Sequence, residues 1–182
     1  MPKRPSDIID FWFAECSKAR WFESTPEFDL EIEARFRGLY EDATAGELER
    51  WRDSADGCLA LCLLLDQFPR NLFRGDARAF ATDAMALDVA SHALARGFDQ
   101  ALSPERRLFL YLPFEHSEDL AHQNRCVALI KDLDDPRLLD YAVRHQQIVE
   151  RFGRFPHRNR ILGRATTPEE AAFLEQPDSS FG

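Results

Sequence analysis

Residues 58–65 read CLALCLLL. Eight apolar residues in a row leave no polar face, so a helix over about 56–68 has to be enclosed on every side. That one element decides the fold: it predicts a central helix wrapped by others. Eight residues fall far short of the roughly 20 that cross a bilayer, so the run is core and not a membrane span.

Working outward, helix signals follow one another with little between them. Ser6 reads as the cap of a first helix carrying Ile8, Ile9, Trp12 and Phe13. Thr25-Pro26 is a cap followed by a proline at the first helical position. Phe28, Ile32, Phe36, Leu39 and Tyr40 then recur at helical spacing. Beyond the central helix, Asp83 reads as the cap of an alanine-rich helix ending at Gly97, a left-handed stop. Ser103-Pro104 opens a fifth helix that Pro113 should end or kink. The HSEDL stretch restarts a helix toward Leu133, and Asp135-Pro136 opens the longest one, through about Phe152. Thr167-Pro168-Glu169-Glu170 is a capping box with a proline start, and EQPDSSFG after that helix reads as a tail. No alternating strand with a hairpin turn is visible. The expected fold is all-α, seven to eight helices stacked as antiparallel pairs because the loops are short, in a single domain over 1–182.

Composition sets limits on function. With 45% hydrophobic and 30% charged residues, the chain reads as an ordinary soluble globule. A net charge of −9 argues against a general nucleic-acid or membrane-surface partner. Cys16, Cys58, Cys62 and Cys126 form no C-x-x-C pair and no zinc spacing, so they read as core thiols in a reducing cytoplasm. No secretory leader is visible.

Against the acidic background stands RFGRFPHRNRILGR, residues 151–164. From Arg144 to Arg164 there are six arginines and one acid, Glu150, a local balance of +5. Gly153 and Pro156 stop the helix here, so Arg151, Arg154 and Arg158 fan out around a turn. Such guanidinium groups take carboxylate or phosphate, bound or internal. Asp66, Glu115, Glu118 and Asp119 could neutralise them from within. A similar turn, FPRN, follows the central helix: Asp66 and Arg70 lie one helical turn apart, acid first, with Asn71 and Arg74 beyond Pro69. The two Phe-Pro turns, FPRN and FPHRN, suggest helix ends built alike and lying side by side. In LPFEHSEDL (112–120), Glu115 and His116 follow the proline, and Glu115 and Glu118 would share a face. The Asp119–His122 spacing resembles one half of a di-iron site, but no second acid–histidine pair accompanies it, so no metal or other cofactor is expected. His145 lies in an apolar stripe and reads as a hydrogen-bonded core residue. No phosphate loop, nucleophile elbow or dinucleotide fingerprint is present.

Together the segments DQFPRNLFRG, AFATD, LPFEHSEDL, RFGRFPHRNRILGR, TPEEAAFL and the SSFG ending resemble a bacterial family known as domain of unknown function 924, over about 5–182. The resemblance implies a tetratricopeptide-like, right-handed helical stack with an additional N-terminal helix, and it brings no activity with it. Its segments map onto Asp66, Arg70, Asn71, Arg74, Glu115, His116, Glu118, Arg154, Phe155, Pro156, His157, Arg158 and Asn159. The expected role is binding of an anionic small molecule or peptide carboxylate in a concave pocket lined by these residues. A small hydrolase or transferase using His116 oriented by Glu115 is one alternative. A structural ion-pair network in a protein-interaction scaffold is the other.

Overall fold

The computed structural model describes residues 3–16, 18–21, 25–177 and 179. Of the expected tail, residues 178 and 180–182 lie outside that set. Among the described residues every regular element is helical: α1 (Pro5–Asp10), α2 (Pro26–Thr44), α3 (Ala55–Cys62), α4 (Phe68–Leu72), α5 (Asp83–Ala95), α6 (Pro104–Glu115), α7 (Leu120–Lys131), α8 (Pro136–Phe152) and α9 (Pro168–Leu174). Short 3-10 turns fill several of the connections. A π turn, Leu63–Gln67, joins α3 to α4 without a break, with helical dihedrals at both junctions, so 55–72 is one rod. The described residues therefore form eight rods, the upper end of the expected number.

The enclosed helix is where the apolar run puts it. Every residue from Gly57 to Pro69 is buried. α1, α5 and α6 pack directly on α3, while α2 packs on its continuation in the π turn and α4. Ser54 caps α3 through the Gly57 amide. Gly57 is required there, because a Cβ would sit 1.9 Å from the Trp51 carbonyl oxygen. A second theme is aromatic. Trp12, Phe13 and Trp21 all meet Phe109 edge-on at centroid distances of 5.0–5.5 Å, and Phe68 lies against Trp12 and Phe36. These rings tie the N-terminal rod to α2, α4 and α6.

Several local signals behave as read. Thr25 accepts the Phe28 amide, Gly97 and Gly153 are left-handed with φ of 68°, and Thr167 with Glu170 forms the capping box. Others shift. Arg4, not Ser6, precedes α1, and a box with Asp7 closes its first turn. Thr82 is the residue before α5, and Asp83 is its first helical residue. α8 has 17 residues and α2 has 19, so α8 is not the longest. Pro113 lets α6 continue only to Glu115, so Glu118 lies in the following turn and does not share a helical face with Glu115.

The largest departure is at Pro69. It does not stop the helix; the rod runs on to Leu72. A proline inside a helix removes one N–H and crowds the carbonyl four residues earlier. Here the π turn widens the rod just before the proline, with the Phe68 amide reaching back to the Leu63 carbonyl. The Leu65 carbonyl that Pro69 leaves without its amide accepts the Thr82 hydroxyl at 2.6 Å. The next carbonyl, Asp66, accepts the Arg70 guanidinium at 2.9 Å. The second Phe-Pro turn is built differently. α8 has already ended at Gly153, Phe155 is extended, and Pro156–Arg158 is a separate 3-10 turn.

Candidate functional site

Although unlike in backbone, the two Phe-Pro segments do converge, and Asp83 is where they meet. Arg70 donates to both carboxylate oxygens of Asp83, at 3.0 and 3.3 Å, and Arg158 donates to Oδ2 at 3.4 Å. Arg70 also pairs with Asp66 at 3.3 Å. Asp66 is fully buried at the end of the π turn. It accepts the Gln67 amide at 2.6 Å and lies 2.7 Å from Nδ1 of His116, the C-cap residue just past α6. Burial alone would raise the Asp66 carboxyl, but Arg70, His116 and Gln67 together bring it well below the usual carboxylate range. With Asp66 ionised, the proton on His116 sits on Nδ1 and the lone pair on Nε2. Nε2 has no hydrogen-bond partner among the described residues. Burial and the Arg70 charge push the imidazole below its ordinary pKa, so it is neutral at pH 7.

Arg158 is the least compensated member. Its guanidinium carbon lies 4.6 Å from the Phe80 ring centroid and 4.7 Å from that of Phe155. Its side chain is 8% exposed. Beyond the single long bond to Asp83, Nε is buried without a partner. Burial and the neighbouring Arg70 lower its pKa to about 10.

The loop carrying Arg158 is braced on two sides. Glu118 takes two bonds from Arg164, at 2.6 and 2.9 Å, and the Phe155 amide at 2.8 Å. Glu170, nearly buried, accepts Arg154 twice, Asn159, and the Thr167 amide of its capping box. Those bonds, led by Arg154, hold its carboxyl down at about 2.

Of the eleven polar residues expected to line one pocket, Asp66, Arg70, His116 and Arg158 are thus brought into one network. His157, adjacent to Arg158, is lowered to about 4 by burial and the Arg158 charge. Glu118, Arg154 and Asn159 serve the braces. Asn71 and Arg74 turn away to Asp29 on α2, at 2.8 Å each. Glu115 does not orient His116, because Asp66 occupies that role. Glu115 faces Cys126 and His145 instead, at 3.9 and 3.6 Å. His145 is a hydrogen-bonded core residue, donating from Nδ1 to the Tyr141 carbonyl at 2.9 Å. Sequence reasoning missed Asp83 and Phe80 as site members. Both lie in the AFATD segment, together with Thr82, whose hydroxyl completes the Pro69 device. Asp119 caps α7 through the Ala121 and His122 amides, which accounts for the Asp119–His122 spacing. Among the described residues no group of three His, Cys, Asp or Glu side chains is placed to hold a metal ion. No described helix is long and apolar enough to cross a membrane. A half-open cavity of about 270 Å³ lies elsewhere, between Leu48, Leu61, Leu65, Met85 and Val89, and shares none of the site's charged groups.

Glu115 gives the site a pH signature. Burial first, and the Asp66 charge second, raise its carboxyl to about 8 from 4.5. The folded state therefore holds a proton that the unfolded chain releases above pH 4.5. The stability tied to that proton is complete below 4.5 and is lost as pH rises through 8. His145 and His157, lowered to about 3 and about 4, act oppositely: their contribution is present above 6.5 and lost as pH falls. Glu115→Gln removes only the first dependence. The variant is expected to gain on wild type as pH rises, by roughly 1–3 kcal/mol at pH 8 and much less at pH 5. Urea titrations at the two pH values measure this. A difference that does not grow with pH would show that Glu115 is ionised in the fold.

The sequence pattern of a family described as "Bacterial protein of unknown function (DUF924)" matches residues 8–178. The structure is similar to that of a protein of unknown function from Agrobacterium tumefaciens, with a TM-score of 0.90 and 49% identity, covering 94% of this chain and 96% of that one. No curated protein matches the sequence.

Proposed function

The chain belongs to this bacterial family of unknown function, and from the geometry of the site we propose that it binds a small anion, the carboxylate of a metabolite or of a peptide, at Arg158. One observation carries the reading: a buried guanidinium whose Nε–Nη2 edge has no partner among the described residues. A buried charge without full pairing is expensive, and an apolar residue between Phe80 and Phe155 would cost less. The Nε–Nη2 edge is the one that takes a carboxylate through two parallel bonds. An anion there lies away from Asp83, which occupies Nη1. Solvent reaches the cluster past His116, Asp83 and Arg70, whose side chains are 15%, 19% and 22% exposed. The four free, buried thiols suit a reducing cytoplasm, where we place the protein.

Binding to the folded state alone stabilises it by RT ln(1 + [L]/Kd). At a ligand concentration ten times Kd that is about 1.4 kcal/mol, or roughly 3–5 °C in melting temperature for a domain of this size. Succinate, citrate, phosphate and sulfate are to be compared with sodium chloride at matched ionic strength. A rise is expected with at least one carboxylate, and Arg158→Met is expected to abolish it. No rise beyond chloride, or an equal rise in the variant, leaves the charges balanced internally. Asp66 and Asp83 against Arg70 and Arg158 would then form a purely structural network.

A further inference from the structure

Resting on that reading, we propose that the site is a hydrolytic centre in which Nε2 of His116 activates a water molecule against an ester whose own carboxylate is held by Arg158. Three observations converge. First, the Asp66–His116 pair at 2.7 Å is oriented for general-base work. Its carboxylate is fully buried and held by Gln67 and Arg70, which locks the Nδ1–H tautomer and leaves Nε2 as the basic atom. Second, Nε2 is not spent on the fold: it has no hydrogen-bond partner among the described residues, and its side chain is partly open to solvent. Third, the anion-holding edge belongs to the same cluster. Arg158 and Arg70 share Asp83, while His145 bridges the His116 and Phe155 rings at 6.5 and 5.5 Å.

The site also indicates what the base acts upon. No described hydroxyl or thiol is hydrogen-bonded to His116. Ser117, its neighbour, is engaged by His122 at 2.9 Å, and all four cysteines are buried with thiols raised above their ordinary range. A covalent serine or cysteine intermediate is therefore not part of the proposal, and the attacking oxygen is that of water. In the step, Nε2 takes a proton from water as the oxygen bonds to the acyl carbon. The bond from that carbon to the leaving oxygen then breaks, and the imidazolium returns its proton to that oxygen. Ester and water give acid and alcohol, and the imidazole ends as it began. An acyl carbon suits the centre because one group both removes and returns the proton.

The test compares 4-nitrophenyl hemisuccinate, which carries a carboxylate, with neutral 4-nitrophenyl acetate, each corrected for uncatalysed hydrolysis. Wild type is expected to prefer the charged ester in kcat/KM by at least about tenfold. His116→Gln keeps a donor toward Asp66 and is expected to lose 100-fold or more in kcat. Arg158→Met is expected to raise KM for the charged ester and erase the preference. Asp66 is a positioning residue. Wild-type activity should rise with pH to a plateau through an inflection below 6.5, and Asp66→Asn should move that inflection lower, which a merely structural role would not do. Circular dichroism and melting confirm that each variant is folded. Hydrolysis unchanged within twofold in folded His116→Gln, or absent in wild type, overturns the catalytic proposal. If succinate still stabilises wild type through Arg158, anion binding survives that failure. Equal rates with the two esters overturn the role given to Arg158.

Discussion

Asp66→Ala is expected to lower the unfolding free energy by about 3–5 kcal/mol, the cost of removing one partner from a buried ion pair. The side chain is fully buried and accepts from Arg70, His116 and Gln67 at once. Without it, the Arg70 guanidinium keeps its bonds to Asp83 and to the Asp66 and Ala79 carbonyls, but a buried cluster of two arginines is left with a single carboxylate. The His116 Nδ1–H loses its acceptor as well. Asp66→Asn keeps shape and some bonding, so it should cost less; that ordering separates loss of charge from loss of packing. Urea unfolding checks both, with the slope expected to stay constant. A loss below about 1 kcal/mol for Asp66→Ala would mean that the network adds little to the fold.

Phe109→Ala is the other large effect, about 3–5 kcal/mol. Phe109 is fully buried on α6 and is the ring on which Trp12, Phe13 and Trp21 converge, each edge-on. Its removal opens a cavity bordered by rigid indoles, which collapse poorly, and it deletes three edge-to-face contacts together. Part of the loss should appear locally. The N-terminal rod is held to α6 by these rings, so amide exchange in 5–15 is expected to quicken more than in α7 or α8. Uniform acceleration across the chain would mean that the N-terminal rod is no separate, more weakly held layer.

The sequence by itself determined the helical architecture. The fully apolar run at 58–65 admits only an enclosed helix, and periodic stripes such as Phe28–Ile32–Phe36 mark the helices around it. Thr25-Pro26, Gly97, Gly153 and Thr167-Pro168-Glu169-Glu170 set ends that the backbone obeys, because caps and left-handed glycines act through neighbours three or four residues away. Part of the candidate site was legible for the same reason: Asp66 and Arg70 are one turn apart, and the excess of arginine at 144–164 demands acids.

What the tertiary structure alone decided is which acid answers which base. Pro69 looks like a helix stop until Thr82, thirteen residues on, supplies a hydroxyl to the Leu65 carbonyl. Asp83 looks like a cap until α5 sets it between Arg70 and Arg158, the latter 75 residues away. Glu115 looks like the partner of its neighbour His116, yet it closes α6 facing Cys126 and His145 while Asp66 reaches His116 from another rod. Nor could sequence tell that Asn71 and Arg74 belong to Asp29, or that Glu118 and Glu170 brace a loop. Local pattern fixes backbone period and termini, since those interactions run along the chain. Pairing among charged side chains depends on distances between rods, and these follow from how Phe109, Phe68 and the enclosed helix pack.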